Sequence, residues 1–120
     1  AMLALRLVLS AAPPTLVFDE GDAGVGGAAA LAVGRALARI GADHQVLVVT
    51  HLPQVAAYAD AQVRVVKSAE GDATRTMAHP LHADERIVEL SRMLSGTPES
   101  AAAHEHAAEL LSVAAAERGR

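Results

Sequence analysis

The chain has no cysteine and no tryptophan, and only one phenylalanine and one tyrosine among 120 residues. Without cysteine there is neither a disulfide framework nor a thiolate metal site. With aromatics at 2%, a surface of stacked rings for single-stranded nucleic acid is excluded. Positive charge is also short: the formal net charge is −4, so no global basic field attracts DNA or RNA. Apolar runs are broken by charge or glycine before the roughly 20 residues that a membrane span requires. No charged, apolar and cleavage regions follow one another at the start as in a signal peptide. These absences predict a cytoplasmic protein or part of one.

What is present is small and apolar. Hydrophobic residues make up 52% of the chain, so the core must be built from Ala, Val, Leu and Ile, which favour close helix–sheet packing. The length suits one domain, and the lack of repeats, linkers or low-complexity tracts predicts a single compact unit. Residues 1–11 are strong helix formers that begin without a cap, and Pro13-Pro14 stops them. Thr15–Asp19 and His44–Thr50 are short valine- and leucine-rich runs, expected as strands buried on both faces. Between them Gly27–Ile40 has helical periodicity, with Leu31, Gly34, Leu37 and Ala38 on one side. Strand, helix and strand make a right-handed βαβ unit and hence a parallel sheet. A short helix over Pro53–Ala59 leads to a third strand, Gln62–Lys67, and a return strand, Thr74–Leu81, at the sheet edge. Asp84 is placed to cap a helix through Leu94, and Gly96-Thr97-Pro98 breaks it. A last helix covers Glu99–Ala116, with the terminal E-R-G-R expected to fray.

The segment "TLVFDEGDAGVGGAAA", Thr15 to Ala30, holds two kinds of chemistry. Its glycines satisfy G-x-G-x-x-[G/A], the dinucleotide pattern. In that fold, however, the first glycine follows directly on the strand so that pyrophosphate rests on the helix N-terminus. Here Asp19, Glu20 and Asp22 intervene, and their charges repel a pyrophosphate. The second strand ends in Thr50-His51, without the acid expected to bind a ribose. The acids make the better working part. A buried strand ending in Asp-Glu sets both carboxylates at the C-terminal edge of a parallel sheet, where open α/β folds bind ligands. Successive side chains point to opposite sides, so one acid suits Mg²⁺ and the other suits a general base. His51 reaches the same edge from the second strand.

These residues carry a resemblance. "LVFDE" resembles a Walker B strand with the catalytic glutamate directly after its aspartate, and "VLVVTH" resembles the strand and switch histidine of the ATP-binding-cassette class. The wider run "LVFDEGDAGVGG…VLVVTHLPQVAAYAD" is similar to the C-terminal head segment of the RecN family, bacterial DNA double-strand-break repair ATPases related to SMC proteins. "AMLALRLVLS" resembles the helix after that family's signature motif, and "ELSRMLSG" with "HAAELL" its C-terminal end. The resemblance implies an α/β fold with a mostly parallel sheet and flanking helices, the C-terminal part of an ABC/SMC-type P-loop ATPase head over residues 1–120. It implies ATP and Mg²⁺ as cofactors and a bacterial, nucleoid-associated location. Asp19 would be the Mg²⁺-associated acid, Glu20 the base that polarises the hydrolytic water, and His51 the switch residue at the γ-phosphate. Gly24, Gly26 and Gly27 would belong to the D-loop facing a partner head across the nucleotide.

The implied partners are an N-terminal head segment bearing Walker A, a second head in an ATP-bridged dimer, and DNA through the full assembly, with no membrane. The chain holds neither a G-x-x-x-x-G-K-[ST] loop nor an L-S-G-G signature. It is thus expected to be one piece of a split head, inactive alone and prone to self-association or dependent on a companion chain. Gly21 stands where the family usually has a larger apolar residue. The alternatives are a head segment of another SMC/ABC-type ATPase, or a non-catalytic α/β interaction module whose acids are incidental. His104 and His106 are expected to be solvated, because positions i and i+2 of a helix diverge and H-E-x-x-H is not completed at Ala108. Arg86 and Arg92 are expected to be ion-paired on a helix surface.

Overall fold

The structure is a computed structural model and describes residues 14–19 and 26–119. The helix expected over residues 1–11 lies outside them. The elements run β1 (Thr15–Asp19), α1 (Gly27–Ile40), β2 (Gln45–Val49), α2 (Pro53–Ala56), β3 (Gln62–Glu70), β4 (Ala73–Leu81), α3 (Ala83–Ser95) and α4 (Ala101–Arg118). The fold class is α/β, but the sheet is not mostly parallel. β1 and β2 form a two-stranded parallel sheet, and β3 and β4 a separate antiparallel one. The chain divides into two compact units, one of residues 1–59 with 109–120 and one of Asp60–Ala108. The single compact unit expected from the sequence is therefore corrected.

In the first unit β1 pairs with β2 from Thr15↔Gln45 to Asp19↔Val49. The strands were expected to be buried on both faces. Instead Val17, Leu47 and Val49 are 67%, 51% and 56% exposed, on the face that Asp19 shares by alternation. On the other face Leu16, Phe18 and Val46 are half-buried and Val48 is exposed, so neither face of the pair is fully buried among the described residues. α1 packs on α2 through Gly34. A Cβ there would lie 2.7 Å from Tyr58 Cδ2, 3.0 Å from the Gln54 carbonyl oxygen and 3.3 Å from Val55 Cα. Ala30, Val55, Ala57 and Tyr58 are buried around this approach.

α4 runs to Arg118, two residues past the expected end, and its last turn is tied by side chains. Arg35 Nε and Nη2 donate to the two carboxylate oxygens of Glu117 at 2.8 and 3.1 Å, and the Tyr58 hydroxyl donates to Glu117 Oε2. Hydrogen bonds from Arg35 and then Tyr58 hold the Glu117 carboxyl at about 2, below its ordinary 4.5. Desolvation, followed by the bond to Glu117, pushes the Tyr58 phenol above its ordinary value.

In the second unit β3 was expected to join the same sheet as β1 and β2. It pairs with β4 alone, from Gln62↔Leu81 to Glu70↔Ala73, around a two-residue turn at Gly71-Asp72. Gly71, at φ 63, supplies the positive φ that so tight a turn needs at its first position. Local hairpin closure thus satisfies β3 without any partner from the first unit. α3 is capped two residues earlier than expected, by His82 rather than Asp84. The Glu85 backbone N–H donates to the His82 side chain, while His82 N–H donates to Glu85 Oε1 at 3.0 Å. Gly96 ends the helix in the left-handed region at φ 78. The carboxylate of Glu89, 6% exposed, accepts from Arg92 Nε at 2.9 Å and pairs with Arg64 Nε of β3 at 3.4 Å. A buried charge is tolerable only when paired in this way. Arg86 Nε donates to Gln62 Oε1 at 3.2 Å, a hydrogen bond to an amide beside the ion pair of Arg92.

Two predictions follow from this packing. Gly34→Ala should lower the unfolding free energy of the chain by about 1–3 kcal/mol, because overpacking outweighs the ~1 kcal/mol helix-propensity gain; thermal or urea unfolding reads this directly, and a stabilised variant would contradict the close approach. The depressed Glu117 carboxyl contributes stability that is complete above the unfolded value of 4.5 and is lost as pH falls toward about 2. Urea midpoints measured down the acid limb should therefore fall less steeply in Glu117→Gln than in the parent chain.

Candidate functional site

Parallel pairing decides what stands at the C-terminal edge of the first sheet. Because Asp19 lies opposite Val49, the residues that leave β2 next, Thr50 and His51, begin at the end of the sheet where β1 ends. Asp19 and His51 are both exposed there. The structure therefore brings these two predicted residues to one edge. Glu20 and Gly24 lie outside the described residues.

The turn that carries His51 is held by its own backbone. Leu52 N–H donates to Thr50 Oγ1 at 3.0 Å, folding the chain back around His51. Pro53 then opens α2, where its missing N–H and fixed φ suit the first helical turn. Val55 and Ala56 N–H both donate to the Leu52 carbonyl at 3.1 Å. From Thr50 to Tyr58 the chain is one hydrogen-bonded segment, ending on a buried tyrosine ring.

Gly26 and Gly27 differ in what they require. Gly26 is the N-cap of α1 at φ −120 and ψ 161, an extended conformation open to any residue, and its carbonyl accepts from Ala29 and Ala30 N–H at 3.0 and 3.3 Å. Gly27 has φ +36, which a side chain rarely adopts. Among the described residues no atom lies within 4 Å of a Cβ built on either, so no close packing with them demands a glycine.

Asp19 offers a hard oxygen donor of the kind Mg²⁺ takes directly or through water. Among the described residues no group of three or more His, Asp or Glu side chains could hold a metal ion. His104, expected to be solvated, is half-buried with Nε2 2.6 Å from the Pro98 carbonyl oxygen, a helix-start contact that leaves it structural; His106 is exposed as expected. No helix among the described residues is long and apolar enough to cross a membrane.

Sequence reasoning missed the trio of Arg35, Tyr58 and Glu117. Its one legible signal was a lone tyrosine in the apolar run V-A-A-Y-A, whose buried phenol needs a partner. Which of many distant polar residues supplies that partner is not written in local pattern.

The glycine geometry predicts unequal variants. Gly26→Ala should leave stability within about 0.5 kcal/mol, whereas Gly27→Ala should cost about 1–2 kcal/mol by forcing a Cβ into positive φ. Equal effects in urea unfolding would contradict the two conformations.

No family model matches the chain. Curated relatives do. It is 52% identical over 119 residues to the DNA repair protein RecN of Streptomyces coelicolor, covering 98% of this chain and 21% of that protein. It is 56% identical over 115 residues to RecN of Mycobacterium leprae, covering 94% and 19%. To RecN of Deinococcus radiodurans it is 53% identical over 110 residues, covering 92% and 19%. The chain spans about a fifth of the length of these relatives. With identities this high across nearly all of its length, the chain belongs to the RecN family of DNA repair proteins.

Proposed function

We propose that this chain is the C-terminal part of an ATP-hydrolysing head in a RecN-type DNA repair protein. The observation that carries the reading is the parallel register that brings Asp19 and His51 to one sheet edge. A second observation supports it. Val17, Leu47 and Val49 leave an apolar face of a parallel sheet in water, although such sheets are normally covered on both sides. Further structure from the rest of a longer protein would complete that sheet.

In this reading Asp19 binds Mg²⁺, directly or through an ordered water. The ion, when bound with ATP, would neutralise charge developing on the transferring phosphoryl group. Glu20 accepts a proton from the attacking water and orients its lone pair toward the γ-phosphate. His51 donates a hydrogen bond to a γ-phosphate oxygen, strengthening as charge builds there. The Gly24, Gly26 and Gly27 turn faces a second head across the nucleotide. The chain carries no Walker A lysine or phosphate loop, so the β- and γ-phosphates are gripped by a different head segment. Cycles of head engagement and release would act on DNA through the full assembly.

The test is Mg²⁺-dependent ATP hydrolysis by this chain, alone and mixed with a Walker-A-bearing N-terminal RecN head segment. Activity is expected only in the mixture, and Glu20→Gln should lower its kcat by about 10²–10⁴-fold. An assembled mixture without hydrolysis would instead favour a non-catalytic interaction module.

A further inference from the structure

The segment bearing His51 is anchored at its far end, and the anchor is distant in sequence. α2 closes on Tyr58, whose ring lies so near α1 that a Cβ at Gly34 would sit 2.7 Å from it. The Tyr58 hydroxyl donates to Glu117, and Glu117 is itself gripped by Arg35 Nε and Nη2 at 2.8 and 3.1 Å. Between Tyr58 and His51 there is no slack. Tyr58 N–H donates to the Val55 carbonyl at 3.1 Å, Val55 N–H donates to that of Leu52 at 3.1 Å, and Leu52 N–H donates to Thr50 Oγ1 at 3.0 Å. Val55, Ala56, Ala57 and Tyr58 are all buried, so packing opposes any tilt of this short helix. His51, in contrast, is exposed.

We propose that Glu117 is a positioning residue for His51, acting through the Tyr58 hydroxyl and the hydrogen-bonded turn of α2. The terminal turn of α4 thereby controls the placement of a side chain at the C-terminal edge of the first sheet. That His51 serves ATP hydrolysis rests on the function proposed above; the mechanical link from Glu117 to His51 does not. Two bonds from Arg35 fix the carboxylate, and the carboxylate fixes the phenol. Loss of the phenol's partner frees α2 to rotate about Pro53, which moves His51 without moving Asp19 on β1. A misplacement of this kind costs rate more than binding, since orientation matters most in the transition state.

The test compares Tyr58→Phe and Glu117→Gln with Glu109→Gln, an exposed carboxylate on the same helix. Tyr58→Phe keeps the ring packing and deletes only the donor, so it remains folded if Glu117→Gln does not. Imidazole NMR signals are recorded on the complete chain, and ATP hydrolysis on the chain assembled with a Walker-A-bearing head segment. The His51 signals should shift in Tyr58→Phe and Glu117→Gln, with His79 and His104 unmoved and Glu109→Gln silent. In the assembly kcat should fall about 10- to 100-fold with KM for ATP within about twofold. His51→Ala should absorb most of that loss in a double variant. Unmoved His51 signals overturn the proposal whatever the hydrolysis rate. Shifted signals with an unchanged kcat overturn the part that concerns the reaction. Shifted signals in an assembly whose parent form hydrolyses no ATP uphold the link and bring down the ATPase reading instead.

Discussion

Parallel pairing of β1 with β2 is the constraint from which the rest of the first unit follows. Parallel strands cannot be joined by a tight turn, so Gly27–Ile40 must cross over as a helix. The same pairing makes both strands end together, and chemistry carried at their ends is then shared. An antiparallel arrangement would have put Asp19 and His51 at opposite ends of the sheet. No side-chain contact is needed to bring them to one edge; backbone direction alone does it.

Around that pair the molecule uses small residues where close approach is needed and charge where a helix end must be held. Gly34 lets α1 meet α2 at a distance no side chain would allow. Tyr58 fills the space beside it, and its hydroxyl reaches Glu117 near the end of α4. A bidentate arginine–carboxylate pair is geometrically more specific than a single lysine contact, which is why Arg35 fixes the orientation of Glu117 as well as its charge. The second unit repeats the device with Glu89, buried between Arg64 and Arg92. In both units a carboxylate on a late helix is held by an arginine from an earlier element.

Beside the exposed face of the parallel sheet stands the length of the RecN relatives. Those proteins are about five times the length of this chain, which matches about a fifth of each. A valine- and leucine-rich strand pair with Val17, Leu47 and Val49 exposed on one face and Leu16, Phe18 and Val46 half-buried on the other has the composition of an interior sheet.

Local order was legible in the sequence because it is encoded locally. The strand Thr15–Asp19 and the helix Gly27–Ile40 have the bounds that their periodicity and flanking glycines imply. The turn at Gly71 and the stop at Gly96 follow from backbone conformations that favour glycine. The resemblance borne by "LVFDE" and "VLVVTHLPQVA" was equally legible, and the RecN relatives bear out the family. Pairing was not. Whether β3 joins β2 or folds back on β4 depends on which partner is present, and the hairpin wins because its loop closure is short. His82 rather than Asp84 caps α3 because the choice rests on where the backbone leaves β4, not on capping preference alone. The meeting of Arg35, Tyr58 and Glu117 joins residues 82 positions apart in the extreme case, and no local rule selects them. The sequence by itself determined the described elements, the direction of the first two strands and the family. Only the tertiary structure decided the partition into two sheets and the anchor on α2: the first is a choice between competing strand partners, and the second rests on contacts between segments whose separation erases any local signal.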